Sequence, residues 1–120
     1  MNIIIYENSD QKIAEYERGS RRVCDTQDAL DVMADANTRG ATSQILYKED
    51  IDPAFFDLKT GLAGEILQKY SNYRNRLAII GDFSRYKSRA LKDFIYESNR
   101  GGTVFFMPDL ESALEKFHKA

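Results

Sequence analysis

The chain of 120 residues opens with two short runs that have the pattern of β-strands. Residues 3–6 are β-branched and aromatic, and residues 12–17 alternate imperfectly between apolar and polar side chains. Such residues favour strands, and the polar cluster at residues 8–11 has the composition of a turn. The pattern predicts an opening β-hairpin.

Apolar residues then recur at helical spacing in four later segments. Residues that accept hydrogen bonds from free backbone N–H groups precede three of them, as expected for helix caps. The first helix follows a cap at Asp25 or Thr26, the second covers residues 58–70, the third follows a cap at Ser88, and the fourth follows a cap at Asp109.

A continuous apolar run at residues 77–80 and short runs at residues 43–47 and 103–107 predict three further strands. Strands that alternate with helices imply parallel neighbours joined by right-handed crossovers, and the hairpin adds an antiparallel edge. The order is β-β-α-β-α-β-α-β-α. We therefore predict an α/β fold with a mixed, mostly parallel sheet, formed by one domain over residues 1–120.

Three segments of the chain resemble a known bacterial family. They are residues 55–69 (FFDLKTGLAGEILQK), 77–86 (LAIIGDFSRY) and 93–99 (DFIYESN). Together they resemble the family described as domain of unknown function 4180, over nearly the full chain. That resemblance implies no activity, because the family has no assigned function.

The order of elements also resembles, more distantly, the STAS fold of anti-sigma-factor antagonists and the related SpoIIAA-like proteins. In that fold a phosphorylated Ser or Thr begins the helix after the third strand, in the pattern Asp-Ser-Ser-Gly-Leu-Gly. Residues 58–63 (LKTGLA) are similar, and they place Thr60 at the phosphorylated position. Leu58 stands where the pattern has Asp, and Lys59 replaces its first Ser. The resemblance implies a phospho-switch at Thr60; the alternative is a Thr that only caps the helix.

The charges are nearly balanced overall but unevenly distributed. The chain has 17 basic and 19 acidic residues, which excludes a globally basic nucleic-acid-binding protein. Residues 1–57 carry 12 acidic and 6 basic side chains, whereas residues 72–102 carry 7 basic and 3 acidic ones. A site for an anion or an acidic partner is therefore expected within the basic segment, and two solvated faces are the alternative.

The loop after the strand at 77–80 lies within that basic segment. Ligands of open α/β sheets bind at the carboxyl ends of the strands, where loops and helix starts converge. Hydroxyls and cations in and near this loop suit an anionic group, and the alternative is a polar loop with Ser88 as a helix cap. We expect ligand or partner contacts from Lys59, Asp82, Ser84, Arg85, Tyr86, Ser88 and Arg89.

One cysteine, Cys24, and one histidine, His118, limit the available chemistry. They exclude a disulfide framework and a cysteine-based zinc site, and they disfavour histidine-centred catalysis. We therefore predict no catalytic residue, metal or cofactor. No run of residues resembles a signal peptide or a membrane span, so the expected location is the cytoplasm.

The sequence therefore favours a non-catalytic regulatory or binding module for a protein partner or a small anionic ligand. Its binding surface would join Thr60 to the loop at residues 82–89. The alternative is a small enzyme at the same edge, with Asp82, Ser84 and Arg85 acting on a metabolite that bears a phosphate or carboxylate. Neither a membrane nor a nucleic acid is expected as a partner, and a homodimer is left open.

Overall fold

A five-stranded sheet forms the centre of the protein, in a computed structural model that describes residues 2–7 and 10–119. The strands are β1 (Ile3–Glu7), β2 (Lys12–Tyr16), β3 (Ser43–Tyr47), β4 (Arg76–Ile80) and β5 (Val104–Met107). The helices over these residues are α1 (Thr26–Thr38), α2 (Leu62–Asn72), α3 (Arg89–Arg100) and α4 (Leu110–Lys119). Asn8 and Ser9, in the predicted hairpin turn, lie outside the described residues.

The strands follow their chain order in the sheet, β1-β2-β3-β4-β5. β1 pairs antiparallel with β2, with Ile5 opposite Ala14, and the other neighbours are parallel. The predicted α/β class and the mostly parallel sheet with one antiparallel edge are therefore confirmed.

The two faces of the sheet are covered by different helices. Leu77 and Ile79 of β4 pack in the same core as α1, α2 and α3, whereas Ala78 and Ile80 pack with α4. Right-handed crossovers that always advance in one direction along a sheet place their helices on one side. β4 is thus buried on both faces, which explains why residues 77–80 are continuously apolar.

The helix predicted over residues 58–70 begins later than expected, at Leu62. Gly61 has φ 77° and lies outside the helix, after short 3-10 turns at Pro53–Phe56 and Leu58–Thr60. A left-handed φ ends a helical turn and favours glycine. The interpretation of Gly61 as a helix-interior residue is therefore wrong.

The helix caps predicted at three positions are confirmed. Side-chain oxygens of Asp25, Ser88 and Asp109 accept hydrogen bonds from backbone N–H groups three residues later, at 2.8, 3.1 and 2.7 Å. These contacts satisfy donors that have no partner within the helix. They also fix where α1, α3 and α4 begin.

Candidate functional site

A cleft of about 540 Å³ lies where the parallel strands β2, β3 and β4 end. We call it the carboxyl-edge cleft. Apolar atoms of Ile51, Phe56 and Ile80 line part of it. Its charged lining comes from the segments that follow the three strands: Arg18, Arg22, Lys48, Glu49 and Asp82.

The loop after β2 is held against the segment after β3 by backbone contacts. The Gly19 N–H donates to both carboxylate oxygens of Asp50, at 3.1 and 3.0 Å, and the Val23 N–H donates to the Asp50 carbonyl at 2.8 Å. Gly19 has φ 80°, which favours glycine there. These contacts bring Arg18 and Arg22 to the same wall of the cleft.

Both arginines have carboxylate partners but remain largely exposed. Arg18 Nε lies 3.1 Å from Glu49 Oε2, and its guanidinium carbon lies 4.3 Å from the Tyr47 ring centroid. Arg22 Nη2 lies 3.6 Å from Asp52 Oδ2. Exposed ion pairs contribute little stability, about 0–1 kcal/mol. A competing anion can therefore take these guanidinium groups at small cost.

Lys48 differs from the arginines in what surrounds its ammonium group. Lys48 Nζ donates to the Asp82 carbonyl at 2.9 Å and lies 4.8 and 5.8 Å from the ring centroids of Tyr86 and Phe83. Among the described residues, no carboxylate forms an ion pair with it. Its positive charge is thus positioned by neutral and aromatic groups at the cleft.

Asp82 and Ser84 form a tight local turn after β4. Asp82 Oδ1 accepts hydrogen bonds from the Ser84 hydroxyl at 2.6 Å and from the Ser84 N–H at 2.9 Å. The hydrogen bond from the Ser84 hydroxyl lowers the pKa of the Asp82 carboxyl, and the hydrogen bond from the Ser84 N–H lowers it to a smaller extent. A general base works best with a pKa near the operating pH. The lowered pKa makes Asp82 a weak base toward Ser84.

The histidine of the chain lies at the opposite edge of the sheet from this pair. α4 starts beyond the carboxyl end of β5 and runs back, so its last turn meets the residues before β2. The Gln11 side-chain amide donates to the Phe117 carbonyl at 3.1 Å, next to the exposed His118. His118 therefore does not complete a catalytic triad with Asp82 and Ser84.

Thr60 sits in the 3-10 turn before α2. Its hydroxyl oxygen lies 2.7 Å from the Ala54 carbonyl and 2.9 Å from the Asp57 carbonyl, and it accepts from the Leu62 N–H at 3.2 Å. Thr60 therefore binds the first N–H of α2 and ties two turns together. Thr60 and Lys59 are exposed, and neither belongs to the lining described for the carboxyl-edge cleft.

An aromatic stack joins the 3-10 turns before α2, which include Phe56 and Thr60, to the loop after β4. The rings of Phe56 and Tyr86 lie 5.3 Å apart with an interplanar angle of 16°. Phe56 also lines the carboxyl-edge cleft. The two predicted segments therefore meet through Phe56 and Tyr86 rather than through Thr60 itself.

The other predicted residues lie around Asp82 in different surroundings. Asp82 and Ser84 line an adjoining hollow of about 400 Å³, on the side of the loop toward α3. Ser88 is occupied as the cap of α3. Arg85 and Arg89 are exposed, and Arg89 Nε lies 3.5 Å from Asp93 Oδ1. Of the predicted set, the described lining of the carboxyl-edge cleft contains Asp82.

Three cleft cations, Arg18, Arg22 and Lys48, were not among the predicted site residues. They follow the strands predicted at residues 12–17 and 43–47. Parallel neighbours end at the same sheet edge, so the rule applied to β4 covers these two strands as well. The positions of these cations after two predicted strands could therefore have indicated the cleft. That inference needs the order of the strands in the sheet.

A metal-ion cluster, a reactive thiol and a membrane span are three other features that a chain of this kind could carry. No group of three or more His, Cys, Asp or Glu in this part of the chain is placed to hold a metal ion. Cys24 is a free, exposed thiol. Over the same residues, every helix is too short or too polar to cross a lipid bilayer.

Comparison with known proteins identifies a family for the chain. The family model for a domain of unknown function (DUF4180) matches residues 8–117. Neither the curated proteins nor the solved structures gave a match. The family match spans the sheet from β2 to β5 and all of the helices but the end of α4. The chain therefore belongs to the DUF4180 family.

Proposed function

We propose that the protein is a non-catalytic binding module that takes a small anionic ligand in the carboxyl-edge cleft. The observation that carries this proposal is the position of Lys48. Its ammonium group lies at the cleft, held by a carbonyl oxygen and two aromatic rings. No carboxylate of the described residues forms an ion pair with Lys48, although its charge also acts on the nearby Asp82 carboxylate, so the ammonium group is available to a phosphate or carboxylate.

The surroundings of Lys48 support the same ligand class. Arg18 and Arg22 stand on the adjoining wall, and their exposed ion pairs can be exchanged for a ligand anion. Ile51 and Phe56 offer apolar contact for the rest of a ligand. Binding sites commonly combine apolar walls with a few placed polar groups.

A regulatory role through Thr60 belongs to the same proposal, together with a STAS-like relationship and a cytoplasmic location. The relationship is supported by the element order and by Thr60-Gly61-Leu62 at the start of α2. The hydrogen bond from Thr60 to Ala54 supports the regulatory role, because it anchors the turn that carries Phe56 to the cleft. The exposed thiol of Cys24 suits a reducing compartment.

Titration with citrate and with inorganic phosphate, followed by amide NMR shifts, tests the proposal. We expect saturable shifts at Gly81 and Asp82 in the wild type. Lys48→Met keeps the aliphatic stem, and loss of a charged hydrogen bond should weaken binding about tenfold or more. Lys59→Met is the matched control and should bind like the wild type. Equal affinities of the two variants, or no saturable shift, would contradict the proposal.

The two alternatives from the sequence have distinct outcomes in similar experiments. An enzyme would turn over a phosphate- or carboxylate-bearing metabolite and lose that turnover in Ser84→Ala, while ligand binding survived. An acidic protein partner would be lost when Arg85 and Arg89 are reversed to Glu, since both are exposed beside the loop. The small-ligand proposal expects neither loss.

A further inference from the structure

The outer surface of α1, α2 and α3, which we call the helical face, has opposite charges on its two sides. Residues 25–39, which include α1, hold four aspartates and one arginine. On the other side, α3 (Arg89–Arg100) holds three basic and two acidic residues, and the loop at residues 85–88 before it adds two basic ones. α2 lies between α1 and α3, because the three helices follow consecutive strands of the sheet.

The two sides of the helical face also have complementary shapes, with a groove on the α1 side and an exposed aromatic side chain on the α3 side. A groove of about 330 Å³, lined in part by Leu30, Met33 and the exposed Asp31, runs between α1 and the end of α2. On the α3 side Tyr96 is 62% exposed, and the guanidinium carbon of Arg100 lies 5.6 Å from its ring centroid. Exposed Tyr and Arg are the residue types that most often anchor interfaces.

We propose that a second copy of this chain docks on the helical face about a two-fold axis that runs along α2. α1 of each copy then faces α3 of the other copy, and the facing helices run in the same direction. Met33 and Tyr96 are each the eighth residue of their helix, so Tyr96 of the second copy enters the groove near Met33. Lys92 of the second copy then lies about 3 Å along the helix axis from Asp31, a separation that its long side chain spans.

The charges on the α1 and α3 sides favour this arrangement over the other two-fold arrangement of the same faces. An axis across the helices would place α1 against α1 and α3 against α3. Acidic residues would then face acidic residues, and basic residues would face basic ones, which disfavours association. A two-fold interface along α2 satisfies both opposite-charge contacts at once.

The centre of the helical face is also consistent with a close partner. Gly64 lies within α2 and is exposed, and a Cβ at this position would meet nothing in the described part of the chain. Glycine in a helix interior is less stable than alanine. No packing contact within the described residues therefore accounts for this glycine, whereas a helix of a second copy passing over α2 would.

Sedimentation analysis over a concentration series tests the dimer. We expect the wild type to dimerise and its dissociation constant to rise with salt, because the contacts are exposed charges. Asp31→Lys and Lys92→Glu should each weaken the dimer about tenfold or more by opposing like charges. Glu111→Lys, an exposed reversal on α4 at the other face of the sheet, should leave it unchanged.

An equimolar mixture of Asp31→Lys and Lys92→Glu provides the sharper test. In the mixed dimer each substituted side chain faces one of opposite charge, and the two native residues face each other. The mixture should therefore recover wild-type dimerisation. A monomeric wild type, dimers of undiminished affinity in both single variants, or a mixture that stays monomeric would each overturn the proposal.

Discussion

A Cβ atom built on Gly81 would lie 2.6 Å from the Cβ of Lys48. The two residues follow Ile80 and Tyr47, which are paired partners at the ends of β4 and β3. The contact involves the first carbon of the lysine side chain, close to the backbone, so a rotation of the flexible end cannot relieve it. Gly81 therefore allows Lys48 to stand at the carboxyl-edge cleft.

We expect Gly81→Ala to destabilise the protein by about 1–3 kcal/mol, since overpacking forces side chains and backbone to shift. Urea unfolding measures this loss. Gly102→Ala is the control, because its added Cβ would meet no atom of the described residues within 4 Å, and it should change the free energy of unfolding by less than about 0.5 kcal/mol. Equal stabilities of the two variants would show that Lys48 moves freely.

Tyr6 and Tyr47 enclose a buried carboxylate, that of Glu15, on the side of the sheet where β1 and β2 form the hairpin. Their hydroxyls donate to the two oxygens of Glu15, at 2.6 and 2.7 Å, and Glu15 is only 4% exposed. Burial, and then the hydrogen bond to Glu15, raise the pKa of Tyr6 from 10.0 to about 12. The folded state thus keeps a proton that the unfolded state loses.

The free energy of unfolding should therefore fall as the pH rises from 10.0 to about 12, the interval between the ordinary and raised pKa values of Tyr6. This contribution of Tyr6 is fully present below pH 10. Unfolding in urea at several pH values measures the slope. Tyr6→Phe should have a shallower slope, and an unchanged slope would contradict the role of Tyr6.

Thr60 should influence the cleft through the turn that it anchors. Thr60→Val removes the hydrogen bonds to the Ala54 and Asp57 carbonyls and should cost about 1 kcal/mol of stability. Thr60→Glu loses the same contacts but adds a negative charge, as phosphorylation would. Both variants should weaken citrate binding, because Ala54 and Phe56 share one turn. Thr60→Glu should weaken it further, because its negative charge opposes the bound anion. NMR titration with citrate measures this difference. Equal citrate affinities of Thr60→Val and Thr60→Glu would contradict a phospho-switch at Thr60.

The regular elements were predictable from local patterns. Residues 77–80 are continuously apolar because β4 is covered on both faces, and each predicted cap has its hydrogen bond. The buried residues of α1 were less predictable. Val32 is buried because α1 packs on α2 as well as on the sheet, and the sequence pattern does not report this contact between helices.

The residues of the candidate site were harder to predict from local sequence patterns. Arg18 and Lys48 are 30 positions apart in the numbering, and only the parallel pairing of β2 with β3 brings the ends of these strands together. The start of α2 was placed early because the helical spacing of apolar residues continues across Gly61. The left-handed φ of Gly61 is a property of the backbone, and the spacing of apolar residues gives no information about it.

Asn99 protects the outer edge of β5, the last strand of the sheet. Its side-chain Oδ1 accepts from the Phe106 N–H at 2.6 Å, and its Nδ2 lies 3.3 Å from the Phe106 carbonyl. An unpaired strand edge is a template for association with other chains. The side chain of Asn99 thus takes the place of a neighbouring strand at Phe106.

We expect Asn99→Ala to lose about 1–3 kcal/mol of stability, because it leaves a buried backbone N–H without an acceptor. It should also scatter more light on heating, as the freed edge pairs with other molecules. Asn99→Asp keeps an acceptor for the Phe106 N–H and should lie between the wild type and Asn99→Ala in both measurements. If Asn99→Ala matched the wild type in urea unfolding and in light scattering, the β5 edge would be protected by something other than this amide.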